Sequence, residues 1–341
     1  MHGMFDRLEG DGSLERESRT IDIVRRIGVI TPKRVSLKTH PIEKPVSVFN
    51  PTFLIRDDEI LIYARTVLGY FTYSSVIAEI RVDLDDLNRL SEMEHEAEIK
   101  IFPDNRYDVW GVEDPRIVEI DGKMLITYCG RTVNYFDQTV WVERTLPITA
   151  VLNEGWKKIC VHRLPKELRS FVISDKDAFL FKTKRGLKLF HRLHMRDNKF
   201  YLVVSDLEKD MEDGKLREMV VKNTAIAMEP EPFEEKIGWS TPPVRIGNHY
   251  ILFLHGVDRE MKRYKVFAVS MDSRLGLEAV TPFYIMEPRE IYEIYGDRPY
   301  AIFPCGAQKI DDRIIISYGA GDSVIAFGEI DVDELLSILD I

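Results

Sequence analysis

One aspartate stands in a context suited to acid-base chemistry. Asp114 lies in GVEDPRI (residues 111–117), directly before a proline and an apolar run. A carboxyl group at this point could serve as a general acid or base. It could also be structural, accepting hydrogen bonds from loop N–H groups or pairing with Arg116. Taken alone, the phrase favours the structural interpretation.

Basic residues from distant stretches of the chain could form an anion site. They are Arg65, Lys176, Arg192, Lys236 and His255. If they meet, they would suit an oxyanion such as phosphate, because cationic side chains donate charge-assisted hydrogen bonds to its oxygens. Ordinary pairing with Asp177, Asp322 and Glu113 is the alternative. His255 by itself is more typical of a hydrogen-bonded core histidine.

A hairpin unit that recurs five times must position these residues. Its copies cover residues 49–65, 112–130, 175–192, 240–256 and 303–322. Each copy has a polar or proline-containing opening, an apolar strand, a turn with Asp, Gly or Asn, and a second apolar strand. The second strands end in register at spacings of 65, 62, 64 and 64 residues, at Tyr63, Tyr128, Phe190, Leu254 and Tyr318.

A third strand is expected after most of the hairpins, at residues 75–83, 199–207, 264–272 and 323–333; the second unit matches less well, although residues 146–153 fit the place. Five such sheets predict an all-β fold, a five-bladed β-propeller whose blades surround a central channel. A solenoid is the main alternative. The antiparallel hairpins, and terminal units no more polar than the others, argue against it. The propeller is expected over residues 41–341.

The two ends of the chain differ from the repeat. Residues 1–40 are expected to form an N-terminal arm with a short amphipathic helix over residues 13–27, where apolar residues recur at near-helical spacing: Leu14, Ile21, Val24 and Ile27. This helix could pack on the propeller or on a neighbouring subunit of a homo-oligomer. Residues 331–339 are expected to add a C-terminal helical turn or two.

The composition excludes several classes of protein. The 341 residues are 45% hydrophobic and 30% charged, as in a globular protein, with a net charge of −10. That charge argues against general nucleic-acid binding, and no apolar stretch approaches the roughly 18 residues of a membrane span. Cys129, Cys160 and Cys305 lack metal-site spacing, which favours reduced thiols. We expect a cytoplasmic protein without metal.

The repeat also predicts which residues meet. In a propeller the inner strands line the channel, so the openings of the hairpins and the far ends of their second strands should share one side of the disc. We expect one funnel there, with carboxylates beside cations from four blades. Aromatic residues near these strand ends could stack on sugars or only pack between blades: Tyr107, Trp110, Tyr135, Trp239, Tyr300 and Phe303.

Four phrases resemble motifs of glycoside hydrolase family 130, the β-mannoside phosphorylases and related mannosidases. They are GVEDPRI, DKDAFLF with HR after it, STPPV with LHG after it, and FPCGAQ with YGAGD after it. The resemblance runs from about residue 45 to the C-terminus and implies a five-bladed propeller. It also implies phosphorolysis of β-mannosides with inversion, giving α-mannose 1-phosphate, with inorganic phosphate as co-substrate and no metal or organic cofactor.

The resemblance implies roles for individual residues. Asp114 would be the general acid, acting on the bridging oxygen through a hydroxyl of the mannosyl residue. Four basic residues would bind phosphate: Lys176, Arg192, Lys236 and His255. Arg65 and Asp322 would hold the mannosyl residue. Other contacts with substrate are expected from Asn50, Glu113, Asp177 and Phe303.

Three functions are compatible with these observations. The first is a phosphorylase acting on β-mannosides, with β-1,2-linked manno-oligosaccharides as the preferred substrate. The second is an inverting β-mannosidase, which would use water and need a carboxylate base opposite Asp114. The third is a non-catalytic sugar-binding propeller.

Overall fold

Five sheets arranged in a ring make up the protein. The computed structural model describes residues 3–8, 15–71, 73–208 and 214–341. Four of the sheets have five strands and one has four. The inner strand of each sheet contacts the inner strand of the next, and the fifth sheet contacts the first. The predicted five-bladed β-propeller is therefore confirmed, and we number the blades 1 to 5 along the chain.

Blades 1 and 2 each combine four antiparallel strands with one parallel strand at the outer edge. From the channel outward, blade 1 contains Ser47–Arg56, Glu59–Val67, Ser75–Asp83, His95–Ile101 and the parallel strand Val35–Lys38. Blade 2 contains Val112–Ile120, Lys123–Arg131, Thr145–Leu152, Trp156–Arg163 and the parallel strand Arg217–Val220.

Blades 3 to 5 follow the same plan with local changes. Blade 3 contains Val172–Thr183, Gly186–Met195, Phe200–Asp206, Lys222–Met228 and the parallel strand Asp6–Arg7. Blade 4 has an interrupted inner strand and contains Glu234–Trp239 with Val244–Ile246, His249–Asp258, Tyr264–Met271 and Leu277–Val280. Blade 5 contains Ile302–Ile310, Arg313–Ala320, Val324–Asp331 and Arg25–Ile30.

The repeated hairpins and the third strands match the prediction in all five blades. Their alternating apolar residues fill the spaces between adjacent blades, because successive side chains of a strand point to opposite faces. The residues that the sequence placed in register are almost completely buried there: Tyr63, Tyr128, Phe190, Leu254 and Tyr318. Between blades 3 and 4, for example, the Phe190 and Trp239 rings pack edge to face with centroids 5.0 Å apart.

The N-terminal segment does not form the predicted helix. Residues 13 and 14 lie outside the described residues; residues 15–24 lack helix, and the backbone N–H of Ile21 donates to the carbonyl of Tyr284 at 2.9 Å. Arg25–Ile30 is a strand that pairs with Val324–Asp331. Blade 5 otherwise has three strands, and its open edge offers backbone hydrogen bonds that a surface helix would not satisfy. Several strands therefore precede the boundary that we drew at residues 40 and 41.

Helices are few and short among the described residues. They are the 3₁₀ helices Pro32–Arg34 and Leu84–Arg89 and the α-helices Lys166–Arg169, Ile291–Ile294 and Val332–Leu339. The last confirms the predicted C-terminal helix, and the Asp331 carboxylate caps it by accepting from the N–H of Glu334 at 2.9 Å. No helix in the described ranges is long and apolar enough to cross a membrane.

Bulges in the inner strands shape the channel. The pairing register shifts between Phe49 and Thr52 in blade 1, and register shifts also occur in the inner hairpins of the other four blades. In blades 1 to 3 the bulge contains a residue with positive φ: Asn50 at 48°, Asp114 at 51° and Asp177 at 55°. Asn and Asp tolerate this left-handed region better than most residues, and a bulge redirects the side chain it carries.

Candidate active site

One end of the channel opens into a polar cavity of about 520 Å³. The three bulge residues Asn50, Asp114 and Asp177 all line it. The other predicted site residues that line it are Arg65, Lys176, Arg192, Lys236, Phe303 and Asp322. The openings of the hairpins and the far ends of the second strands thus meet at one end of the channel, as the repeat predicted.

Asp114 is held at the cavity wall by two donors from blade 1. Its Oδ1 accepts from Asn50 Nδ2 at 2.7 Å and from Arg65 Nη1 at 3.3 Å. Arg116 does not pair with this carboxylate; its Nη1 donates to the backbone carbonyl of Asp114 at 2.8 Å. Within the described ranges, Oδ2 of Asp114 has no hydrogen-bond partner. The structure therefore orients the carboxyl group without occupying both of its oxygens.

Glu113 lies behind the cavity wall and not on it. Its side chain is fully buried, and it accepts from Arg65 Nη2 at 2.7 Å, Tyr135 Oη at 2.8 Å and Lys176 Nζ at 3.3 Å. Burial alone would raise the pKa of Glu113, but the charges of Arg65, Lys176 and Arg131 outweigh it and lower the pKa to about 2. We therefore correct the expected substrate contact: this geometry gives Glu113 a positioning role, fixing Arg65 and Lys176.

Basic side chains and aromatic rings alternate along the wall formed by blades 3 and 4. Arg192 lies 5.2 Å from the Phe200 centroid, and Lys236 Nζ lies 5.1 Å from Phe200 and 5.8 Å from Tyr264. The Arg298 guanidinium lies 4.6 Å from the Tyr264 centroid. Each of the two rings thus contacts two cations, and these contacts hold the three charges near one another.

Among the described residues, only one of these three cations forms an ion pair with a carboxylate. Arg192 Nε donates to Asp177 Oδ2 at 2.5 Å, whereas neither Lys236 nor Arg298 forms an ion pair with any described residue. Burial, followed by the charges of Arg192 and Arg298, lowers the pKa of Lys236 to about 7. The wall therefore carries excess positive charge that an anion would neutralise.

His255 is buried behind the wall and is not one of the cations. Its Nδ1 contacts Ser240 Oγ at 3.0 Å, and its Nε2 lies 3.7 Å from Asp177 Oδ2. Burial lowers the pKa of His255 to about 3, so the ring is neutral near pH 7. Gly238 permits this packing, since a Cβ there would lie 2.3 Å from His255 Cε1 and 2.4 Å from Asp177 Oδ2. His255 does not line the cavity, so the structure does not support the direct contact with phosphate that we expected.

Asp322 is one of four aspartates on the cavity wall, with Asp114, Asp177 and Asp297. It has a positive φ of 49° at the end of the blade 5 hairpin. Burial raises its pKa to about 6, although Arg65 and Arg298 act in the opposite direction. The cavity wall thus includes Asp114, which is held by hydrogen bonds, and Asp322, whose pKa is raised to about 6.

Several expectations about the site need correction. The basic residues come from three blades and not four, because Lys236 lies on the inner strand of blade 4 with His255 on the next strand. Of the six aromatic candidates, Tyr135 and Phe303 line the cavity, whereas Trp239 is buried in the core. Sequence reasoning missed other lining residues: Tyr73, Ser174, His194, Phe200, Tyr264, Asp297 and Arg298. All seven lie outside the five hairpin units of the repeat.

The described residues contain no group of three or more His, Cys, Asp or Glu side chains arranged to hold a metal ion.

A comparison with known families assigns the chain. The profile of glycoside hydrolase family 130, described as β-1,4-mannooligosaccharide phosphorylase, matches residues 14–341. The chain belongs to glycoside hydrolase family 130. A 1,2-β-oligomannan phosphorylase from Thermoanaerobacter sp. (strain X514) is 28% identical over 304 residues, which cover 85% of this chain and 91% of the relative. A β-1,2-mannobiose phosphorylase from the same organism is 29% identical over 231 residues, covering 67% and 69%.

Solved structures share the fold. The Listeria innocua β-1,2-mannobiose phosphorylase in complex with β-1,2-mannobiose matches with a TM-score of 0.72 and 18% identity, covering 93% of this chain and 99% of that one. A structure described in terms of family 130 hydrolases that target β-1,2 mannosidic linkages in Candida mannan matches with a TM-score of 0.60 and 14% identity, covering 96% and 97%. The family 130 propeller is thus associated with both phosphorylases and hydrolases.

Proposed function

We propose that this protein is an inverting phosphorylase that cleaves β-1,2-linked manno-oligosaccharides with inorganic phosphate, releasing α-mannose 1-phosphate and a shortened acceptor. The observation that carries the proposal is the wall of Arg192, Lys236 and Arg298, where two cations have no carboxylate partner in the described ranges. This wall lies in the same cavity as Asp114. An enzyme that uses only water has no need of such a charge.

In the proposed reaction a phosphate oxygen attacks the anomeric carbon while the bond from that carbon to the bridging oxygen breaks. Asp114 gives its proton to a hydroxyl of the mannosyl residue, and that hydroxyl passes its own proton to the departing oxygen. Asn50 and Arg65 orient the Asp114 carboxyl group for this transfer. Inversion follows because attack and departure occur on opposite faces of the sugar.

The basic wall supplies binding and orientation. A phosphate dianion would compensate the charges of Lys236 and Arg298 and receive hydrogen bonds from Arg192, whose guanidinium is already fixed by Asp177. Lys176 directly precedes Asp177 in the sequence, and its Nζ donates to Tyr135 Oη at 2.8 Å. Preorganised cations that hold the nucleophile in line with the anomeric carbon lower the barrier without new ordering costs.

Asp322 favours hydrolysis as a second candidate. Its pKa of about 6 would suit a general base, which an inverting mannosidase requires opposite Asp114. The uncompensated cations favour phosphate over water. Turnover measured over a range of phosphate concentrations distinguishes the two functions, because a hydrolase releases mannose at a rate that phosphate does not raise.

The preference for β-1,2 linkages rests on the names of the relatives, whereas the family profile is described by β-1,4-linked substrates. A panel of β-1,2-mannobiose, β-1,4-mannobiose and mannosylglucose, each incubated with and without phosphate, tests the proposal. We expect α-mannose 1-phosphate from the β-1,2-linked disaccharide. If the enzyme cleaved only another linkage, and still formed α-mannose 1-phosphate, the proposed phosphorolysis would stand and the proposed β-1,2-linked substrate would be wrong.

A further inference from the structure

The N-terminal segment, residues 15–30, contains two arginines that are buried away from the active-site cavity. The side chains of Arg16 and Arg26 are 1% and 7% exposed, and neither lines the cavity. Each forms an ion pair with a fully buried glutamate, Arg16 with Glu234 and Arg26 with Glu293. Because replacing a buried ion pair with apolar residues is often neutral or stabilising, stability alone does not account for two such pairs in one segment.

The first pair holds the start of the strand that carries Lys236. Arg16 Nη1 and Nη2 donate to the two carboxylate oxygens of Glu234 at 2.8 and 2.5 Å. Glu234 also accepts from Tyr284 Oη at 2.5 Å, and it is the first residue of the inner strand of blade 4. Gly256 on the neighbouring strand leaves room for this carboxylate, since a Cβ there would lie 2.3 Å from Glu234 Oε1. The pair thus fixes the backbone two residues before Lys236.

The second pair holds the loop that carries Arg298. Arg26 Nε and Nη2 donate to the two carboxylate oxygens of Glu293 at 3.0 and 3.3 Å, and Nη2 also donates to the carbonyl of Glu287 at 2.8 Å. Glu293 accepts from Tyr318 Oη of blade 5 at 2.7 Å. It lies in the short helix shortly before Arg298, between blades 4 and 5. The pair thus fixes this loop to the N-terminal segment and to blade 5.

The elements held in this way carry the two cations of the wall that form no ion pair with a described residue. Arg192 differs, because it pairs directly with Asp177. Burial and then the charges of Arg192 and Arg298 lower the pKa of Lys236 to about 7, so the cations repel one another. A carboxylate beside Lys236 or Arg298 would hold them, but it would also cancel the charge that attracts an anion. Fixing the backbone from outside the cavity holds the cations and keeps their charge.

We propose that Arg16 and Arg26 are positioning residues, which hold Lys236 and Arg298 where they bind an oxyanion in the active site. The inference rests on the proposed function, because it takes that oxyanion to be the attacking phosphate. Each arginine acts through its glutamate and the backbone that follows the glutamate. The N-terminal segment is thereby part of the site, although none of residues 15–30, all of them described, lines the cavity.

The test removes each buried pair without leaving a buried charge. The two variants are Arg16→Met with Glu234→Gln, and Arg26→Met with Glu293→Gln. Methionine is flexible enough to fill the space of the arginine side chain, and glutamine can still accept a hydrogen bond from the neighbouring tyrosine.

The matched control is Arg25→Met with Glu329→Gln. Arg25 lies in the same segment, and its side chain, 60% exposed, pairs with Glu329 at 2.5 Å. Glu329 belongs to Val324–Asp331, a fully described strand with no residue on the cavity wall. The control therefore removes the same kind of ion pair from the same segment without changing the elements that carry Lys236 and Arg298.

Initial rates of α-mannose 1-phosphate formation from β-1,2-mannobiose give kcat and the KM for phosphate. We expect each buried-pair variant to raise this KM about tenfold, as for one weakened charge-assisted hydrogen bond. The kcat at saturating phosphate should change less than about twofold, because bound phosphate itself draws the cations together. The control should match wild type. A purely structural role would lower the amount of folded enzyme, and with it the apparent kcat, but would not change the KM for phosphate.

An unchanged KM for phosphate in either variant would overturn the inference for that arginine, and an equal rise in the control would overturn it for both. If a double variant does not fold, Arg16→Lys or Arg26→Lys replaces it. Lysine keeps the charge but cannot contact both carboxylate oxygens in the same geometry, so we expect the KM for phosphate to rise about threefold. A wild-type KM in the lysine variant would again overturn the inference.

Failure of the proposed function has a different signature, because wild type would then form no α-mannose 1-phosphate. Calorimetric titration with inorganic phosphate measures the wall directly in that case. Binding by wild type about tenfold tighter than by the buried-pair variants would support the inference. Equal affinities, or no binding by wild type, would overturn it.

Discussion

Replacing Lys236 with methionine should stabilise the protein at pH 6 when phosphate is absent. Burial and the charges of Arg192 and Arg298 lower the pKa of Lys236 from an ordinary 10.5 to about 7. At about 1.36 kcal/mol per unit, that shift corresponds to about 5 kcal/mol by which the empty site disfavours the ammonium group. Loss of the contacts with the Phe200 and Tyr264 rings offsets about 1–2 kcal/mol, and partial exposure reduces the remainder. We expect a net gain of about 2 kcal/mol.

The effect depends on pH in a defined direction. Below about pH 7 Lys236 is charged in both the folded and unfolded states, so its full cost is present in wild type. Between about pH 7 and pH 10.5 the unfolded chain binds more protons than the folded one, and the stability of wild type therefore rises with pH. The advantage of Lys236→Met should consequently be largest below pH 7 and vanish near pH 10.5.

Urea denaturation at pH 6 and pH 9, in buffers with and without phosphate, measures these differences. Phosphate at about 100 times its dissociation constant should stabilise wild type by about 2.7 kcal/mol and the methionine variant by much less. Lys236→Arg is the control, because it keeps the charge. The reasoning would be refuted if Lys236→Met were less stable than wild type at pH 6 without phosphate, or if phosphate stabilised both proteins equally.

Three further substitutions test other parts of the site. Asp114→Asn should lower kcat by about 10³ while the circular dichroism spectrum stays unchanged; a loss below tenfold would remove Asp114 from the acid role. Gly238→Ala should raise the KM for phosphate and cost about 1–3 kcal/mol of stability, because its Cβ would press on His255 and Asp177. Gly155→Ala, with nothing within 4 Å of its Cβ, is the control and should match wild type. Ionisation of Asp322 should make kcat/KM rise through about pH 6, and Asp322→Asn should abolish that rise. Product release by the variant should still require phosphate. An unchanged pH profile would contradict the role of the Asp322 carboxylate in holding the mannosyl residue.

The repeat made the propeller and the meeting point of its strands predictable. Its period located the inner hairpins, and the bulges brought Asn50, Asp114 and Asp177 to one cavity. These features depend on residues that are close in sequence or related by the repeat. Alternating burial in antiparallel strands leaves a pattern that the sequence displays directly.

Features that depend on long-range partners could not be read in the same way. Arg25–Ile30 becomes a strand because Val324–Asp331, about 300 residues later, offers an open edge. Gly28 lets the same strand pack closely against the 3₁₀ helix Leu84–Arg89 of blade 1, since a Cβ there would lie 2.4 Å from the carbonyl oxygen of Leu87. The charge of His255 depends on burial, which converts an expected cation into a neutral ring. Arg298 lies in an irregular loop between blades 4 and 5, where the repeat carries no information.

The most direct test of the central claim is product analysis of β-1,2-mannobiose cleavage with and without inorganic phosphate. The presence of Asp114 in one cavity with the wall of Arg192, Lys236 and Arg298 predicts α-mannose 1-phosphate, formed at a rate that depends on phosphate and falls to background without it. Release of free mannose at a rate independent of phosphate would contradict the claim and assign the cavity to a hydrolase.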